Sequence, residues 1–168
     1  MTSTSVLAIR DKEENQKFYE IFGDEVTKTS QAKDTLFCTI KGVDCSFFTY
    51  PYKLIREPVI DMGITLTSLE DLAAMKLVAV SRRPAKRDYI NIYYLLDKFS
   101  LGQMLDFAQE KFPNFNFYYT LKALTYFEDI KDDEKRKIEM TDKTYTWGEA
   151  KNKITQEVKN YQLGMIKN

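Results

Sequence analysis

The sequence predicts an α+β fold, with a small antiparallel or mixed sheet at the N-terminal side and a helical C-terminal half. Two observations predict it. Apolar and polar residues alternate with a period of two in the segments leading up to Tyr50. From Ser68 onward the apolar residues recur at helical spacing, and the runs open on capping residues. The chain of 168 residues, 43% hydrophobic and 30% charged, has the length and composition of a single globular domain with a sizeable core. Within it, 1–66 form the sheet region and 67–168 the helical region.

The elements follow in order. Glu13–Phe22 reads as a helix, with Phe18, Ile21 and Phe22 on one side and Gly23 as its stop. Glu25–Ser30 reads as a strand. Thr35–Ile40 and Val43–Tyr50 form a hairpin with Lys41-Gly42 as its two-residue turn. Pro51 and Pro58 mark a connecting loop. Helices are expected over 68–82, 87–98, 101–111, 117–128 and 146–160. Thr67-x-x-Glu70, Ser100-x-x-Gln103 and Thr146-x-x-Glu149 are capping boxes for the first, third and last of these. Lys131–Lys143 is a charge-rich connector, read as a solvated loop. Phe117, Leu121, Leu124 and Phe127 share one helical face and read as core, although aromatics beside basic residues also stack on nucleobases.

Composition excludes several chemistries. The formal net charge is +0, so affinity for nucleic acid must come from a local patch. There is no histidine, which removes histidine acid–base catalysis and histidine metal sites. The two cysteines, Cys38 and Cys45, fall on facing strands of the hairpin and read as free, buried thiols. No apolar run is long enough to span a membrane, and the N-terminus lacks a signal-peptide layout, so a cytoplasmic protein is expected.

The segment Lys76–Tyr94, KLVAVSRRPAKRDYINIYY, is the densest in chemistry. Lys76 shares a helical stripe with Leu69, Leu72, Ala73, Leu77 and Val80. A lysine there needs a partner or a route to water, and Asp88 is the natural partner. Pro84 ends the helix near Arg82 and Arg83, and a second helix starts near Asp88. The turn gathers Arg82, Arg83, Lys86 and Arg87, four cations in six residues. One reading is a well-capped turn on a solvated surface. The other is a turn that grips phosphate. Residues 76 and 83 share a face if the first helix continues that far, which favours Arg83 over Arg82 as the ligand-facing cation. Asp88 and Asn91 form one polar edge of the next helix.

These residues carry a family resemblance. ITLTSLEDLAAMKLVAVSRRPAKRDYINIYYLLDKFSLGQML resembles the signature of the AbiEii/AbiGii-type toxin family, nucleotidyltransferase-fold proteins of bacterial abortive-infection and toxin–antitoxin systems. SFFTYPYKLI upstream and FPNFNFYYTLKALTYFEDI downstream are also similar, so the likeness covers about Ile21 to Trp147. The resemblance implies nucleotide transfer from a nucleoside triphosphate to an RNA such as tRNA, with Mg2+ as cofactor and an antitoxin protein as partner. It places Lys76, Arg82, Arg83, Lys86, Arg87 and Asn91 at the nucleotide. Asp88 would orient those cations or contact the metal. Asp44 or Ser46 would stand for the third carboxylate, with Asp44 as the metal ligand, and a tyrosine of Tyr50-Pro51-Tyr52 would line the cleft.

The departures are specific. The family's Gly-Ser or Gly-Gly turn and its Asp-x-Asp strand have no counterpart. No glycine here is followed by serine or glycine, and Asp11-x-Glu13 and Asp132-x-Glu134 lie in charged stretches rather than apolar strands. The missing elements would fall before Ile9. The family's second aspartate on the later helix is Asn91 here. Three function classes therefore stand: an active transferase that obtains its missing carboxylates from another segment or chain, a catalytically silent member that keeps affinity for nucleotide or RNA, and a non-enzymatic interaction module.

Overall fold

The computed structural model describes residues 6–7, 20, 22–32, 35–48, 50–128, 130 and 145–166. The helix expected over Glu13–Phe22 lies, apart from Glu20 and Phe22, outside the described residues, as do Asp11-x-Glu13 and the connector Lys131–Lys143 with its Asp132-x-Glu134. Among the described residues the architecture is α+β, with strands on the N-terminal side and five α-helices after them. The chain forms two compact units, Met1–Tyr52 and Lys53–Asn168.

The first unit is a mixed four-stranded sheet in the order β1-β4-β3-β2, built from β1 (Val6–Leu7), β2 (Val26–Ala32), β3 (Thr35–Ile40) and β4 (Val43–Phe48). β1 runs parallel to β4, and the other neighbours are antiparallel. The β3–β4 hairpin closes on Lys41-Gly42, where both residues take positive φ, 50° and 79°. That is the two-residue turn whose twist matches paired strands, and glycine takes its second position without a Cβ clash. Alternation puts Leu36, Cys38, Cys45 and Phe47 on the buried face, with Phe22, Val26, Ile40 and Val43 packed around them. Cys38 and Cys45 are direct cross-strand partners and both thiols are free and buried. Burial, then the neighbouring Cys45, push the Cys38 thiol above its usual pKa.

The second unit opens with a hairpin that the sequence does not announce, β5 (Val59–Asp61) paired antiparallel with β6 (Ile64–Leu66). Its turn, Met62-Gly63, also has positive φ at both residues, 47° and 77°. Five helices follow: α1 (Leu69–Arg82), α2 (Lys86–Leu95), α3 (Leu101–Lys111), α4 (Phe117–Thr125) and α5 (Trp147–Ile166). α1 is central and packs on α2, α3 and α4, while α5 packs on α2, α3 and α4. Ala73 and Ala74, both fully buried, give α1 a low profile against its neighbours. Leu77, Ile92, Met104, Leu124 and Ile154 fill the core between helices. Leu69, expected on that stripe, is instead 47% exposed.

The caps follow the sequence with one correction. Ser100 and Gln103 make both bonds of a capping box, and Thr146 and Glu149 exchange backbone-to-side-chain bonds at 2.7 and 3.1 Å. α1, however, is capped by Ser68, not Thr67: Ser68 Oγ accepts from Asp71 N–H at 3.0 Å and donates to Asp71 Oδ2 at 2.7 Å. The register is set by Asp71, whose carboxylate is fixed in the interior. α4 gains a cap from Asn116, which accepts from Tyr119 N–H.

Tyr89 shows how α2 is tied to α4. Its ring is buried, and its hydroxyl donates to the carbonyls of Ala123 at 2.9 Å and Tyr126 at 3.4 Å, closing the C-terminal end of α4. Burial, then the adjacent Asp88, push its pKa up to about 12. Tyr89→Phe keeps the packing and orphans those acceptors. We predict a loss of about 1 kcal/mol by denaturant unfolding, the usual net contribution of one hydrogen bond. A loss near zero would show that water takes over the carbonyls.

Candidate functional site

The cationic turn is built by two helix ends. α1 stops at Arg82, and Arg83 leaves the helix with extended backbone (φ −150°, ψ 94°) ahead of Pro84. The condition for Arg83 to share a face with Lys76 is therefore not met. Arg82 and Arg83 are both exposed. Ala85 caps α2 without a side-chain bond, so α2 begins earlier than expected, at Lys86. Lys86 and Arg87 thus occupy its first turn, where the helix dipole disfavours cations, and Asp88 in the same turn offsets them. Lys86 Nζ lies 5.7 Å from the centre of the Trp147 ring.

Between the two helices, Lys76 Nζ on α1 donates to Asp88 Oδ1 on α2 at 2.9 Å. The Lys76 side chain is 22% exposed and that of Asp88 only 1%. The expected pairing is therefore present, with the lysine reaching toward solvent and the carboxylate fully inside. Asp88 Oδ2 is buried and has no hydrogen-bond partner. An orphaned carboxylate oxygen inside a protein is costly. Asn91 lies one turn along α2 from Asp88, half-buried.

A second ionic centre was not foreseen. The Lys111 ammonium donates to Asp71 Oδ1 and to the Lys53 carbonyl, and both side chains are fully buried. Asp71 also accepts from Ser68 Oγ and from the backbone N–H groups of Ile55 and Arg56. Burial alone raises the Asp71 pKa, but the bonds from Lys111, Ser68, Ile55 and Arg56 together outweigh it and hold the carboxyl below its usual value. The rule that singled out Lys76 applies equally to Lys111, which continues the α3 stripe of Leu101, Met104, Leu105 and Ala108. Its partner stands 40 residues away in sequence, beyond the reach of spacing arguments. This centre is saturated and ties the 53–56 segment to α1 and α3.

Asp44 and Ser46 lie in the first unit, on the face of β4 opposite the buried cysteines, Asp44 exposed and Ser46 half-buried. Asp44 Oδ1 accepts from Thr39 Oγ1 at 3.0 Å across the hairpin. Tyr50 is half-buried, its ring against Phe48 and Tyr52 at centroid distances of 6.4 and 5.4 Å. Among the described residues no group of three or more histidine, cysteine or carboxylate side chains could hold a metal ion. A lone Asp44 beside a serine does not fit the two-carboxylate clamp of a nucleotidyl-transfer centre.

The fold and site thus define an α+β protein with cations gathered at a helix–turn–helix and a buried, incompletely bonded carboxylate in the second helix. The chain is 33% identical over 135 residues to an uncharacterized protein of Aquifex aeolicus (strain VF5), a match that covers 78% of this chain and 63% of that protein. It therefore spans less than two thirds of that relative's length. No protein-family model and no solved structure matches the chain. No helix among the described residues is long and apolar enough to cross a membrane.

Proposed function

We propose that the chain is an AbiEii/AbiGii toxin-like protein of nucleotidyltransferase type, from a bacterial abortive-infection or toxin–antitoxin system. In this reading it acts in the cytoplasm, is catalytically silent by itself, and keeps a surface for nucleotide or RNA phosphate. The observation that carries it is the gathering of Arg82, Arg83, Lys86 and Arg87 where α1 ends and α2 begins, next in sequence to Asp88, whose carboxylate is bonded by Lys76 on one oxygen. A phosphate group meets the cations through charge-assisted hydrogen bonds. Tight partnering by an antitoxin is compatible with the same surface.

The test uses the exposed arginines, since their removal leaves the core intact. Wild-type protein is expected to bind a nucleoside triphosphate, and Arg82→Met with Arg83→Met to weaken that binding at least 10-fold. Nucleotide titration by calorimetry reads both. The same protein, incubated with radioactive triphosphates and tRNA, is expected to transfer no label, because nucleotidyl transfer needs metal-holding carboxylates beyond Asp44. Equal binding by the variant reduces the turn to architecture. Label transfer that scales with protein concentration restores the active-enzyme reading, and its loss in Asp44→Ala then identifies Asp44 as a substitute metal ligand.

A further inference from the structure

We infer that Cys38 and Cys45 form a reversible redox latch, closing a disulfide across the β3–β4 hairpin when oxidised glutathione replaces reduced thiol around the protein. The two residues are direct cross-strand partners, within paired strands that run from Thr35–Phe48 to Ile40–Val43 without a register shift. Side chains directly opposite share a face of the sheet. Both thiols lie on the buried face, 5% and 8% exposed. The influence of Cys45 on the ionisation of Cys38 is a second sign that the sulfurs face each other. Directly opposed residues have Cα atoms about 4.5–5.5 Å apart, inside the range of about 4.4–6.8 Å that disulfides span. Their Cβ atoms stand about 4.5–5.5 Å apart, and a disulfide takes about 3.5–4.5 Å. Closure therefore draws the strands together by about 1 Å and strains the pair. These are the two cysteines of the chain, so neither has another partner within it.

That strain decides which kind of disulfide this is. A strained bond is easily reduced, which suits a labile, regulatory link rather than a permanent staple. Where reduced glutathione is in excess the thiols are free, as they are in this structure. Closing takes two thiol–disulfide exchanges. A thiolate of the pair attacks one sulfur of oxidised glutathione, forming a mixed disulfide and expelling one glutathione thiolate. The facing cysteine then gives up its proton, and its thiolate attacks the protein sulfur of the mixed disulfide, expelling the second glutathione. The protein loses two electrons and two protons, and the oxidant becomes two reduced glutathiones. Burial guards the first exchange, because the hairpin must part before glutathione reaches either sulfur, and the raised pKa of Cys38 keeps its thiolate scarce. The second exchange is intramolecular and fast. The latch therefore responds to sustained oxidation. The pairs on either side of it, Thr39–Asp44 and Phe37–Ser46, carry their side chains on the opposite face. Closing it changes the strand spacing directly behind Asp44 and Ser46.

The test equilibrates the full wild-type chain with mixtures of reduced and oxidised glutathione, then quenches with acid, alkylates free thiols and weighs the products by mass spectrometry. Protein oxidised in urea and then refolded approaches the same equilibrium from the other side, so slow access to the buried thiols does not decide the result. Under oxidised glutathione the chain is expected to lose two hydrogens, to resist alkylation, and to yield a peptide that links Cys38 to Cys45. Excess reduced glutathione is expected to restore both thiols. The same equilibrium in urea separates the fold from the bare loop. Folded protein is expected to close at least about 10-fold more favourably, since facing strands spare the loop-closure entropy that a free chain loses. Amide hydrogen exchange in β3 and β4 is expected to slow on closure and to recover on reduction. Thiols that stay free at equilibrium, a glutathione adduct on one cysteine as the end product, or chains joined to one another would each overturn the inference. So would closure no more favourable in the folded protein than in urea, or amide exchange that closure leaves unchanged.

Discussion

Lys111→Met is expected to cost the protein about 3–5 kcal/mol, because it leaves the Asp71 carboxylate buried without its countercharge. Typical domains hold only about 5–15 kcal/mol of stability, so the loss is a large share of the total. The substituted side chain fills almost the same volume, so packing loss contributes little. Asp71→Asn in the Lys111→Met background should recover part of the loss, since the amide oxygen still accepts from the Ile55 and Arg56 N–H groups and no charge remains inside. The wild-type pair also has a pH signature. The folded pKa of Asp71 lies below its unfolded value. Its contribution is therefore complete above the unfolded carboxyl pKa of about 3.9 and is lost as pH falls through the depressed folded value. In Lys111→Met the bond that did most to lower that pKa is gone, and acidification through the same range should destabilise the variant less than wild type. Urea unfolding of both proteins between neutral and acidic pH reads this, and parallel pH curves would sink the account.

The second large effect is an asymmetry at the other ionic pair. Lys76→Met should cost about 3–5 kcal/mol, because Asp88 is 1% exposed, already has one unbonded oxygen, and would lose its lysine as well. Asp88→Asn should cost much less, about 1–2 kcal/mol, since Lys76 is 22% exposed and its ammonium can turn to water. Equal losses in the two variants would mean that the pair behaves like an exposed ion pair and that the burial of Asp88 has no energetic weight.

Much of this was legible because it depends on local physics. The helix spans follow from apolar spacing and from caps such as Ser100/Gln103, and the first hairpin from a Lys-Gly turn between alternating strands. Lys76 announced its partner because a cation on an apolar stripe must be paired, and Asp88 was the carboxylate within reach. What escaped depended on tertiary structure or on very short elements. β5 and β6 are three residues each, too short to show alternation, and their turn places Met62, a residue with no turn preference, at positive φ. Thr67-x-x-Glu70 and Ser68-x-x-Asp71 are equally good cap patterns on paper. Only the interior fixing of Asp71 by Lys111, Ile55 and Arg56 chooses between them. Arg83 misled because helical geometry was extended one residue past the point that Pro84 allows.

The β5–β6 hairpin has a bearing on how the protein behaves in bulk. Val59, Ile60, Met62, Ile64 and Leu66 are 44–94% exposed, and only Asp61 among residues 59–66 is charged. A two-stranded ribbon has two open edges, each a template for another strand. The chain as a whole has a formal net charge of +0, so no long-range repulsion keeps copies apart near neutral pH. Colloidal stability therefore depends in part on an eight-residue segment that lies one helix before the cationic turn. A lysine at Ile60 or Met62, both solvent-facing, would act as a gatekeeper there without altering either buried ion pair.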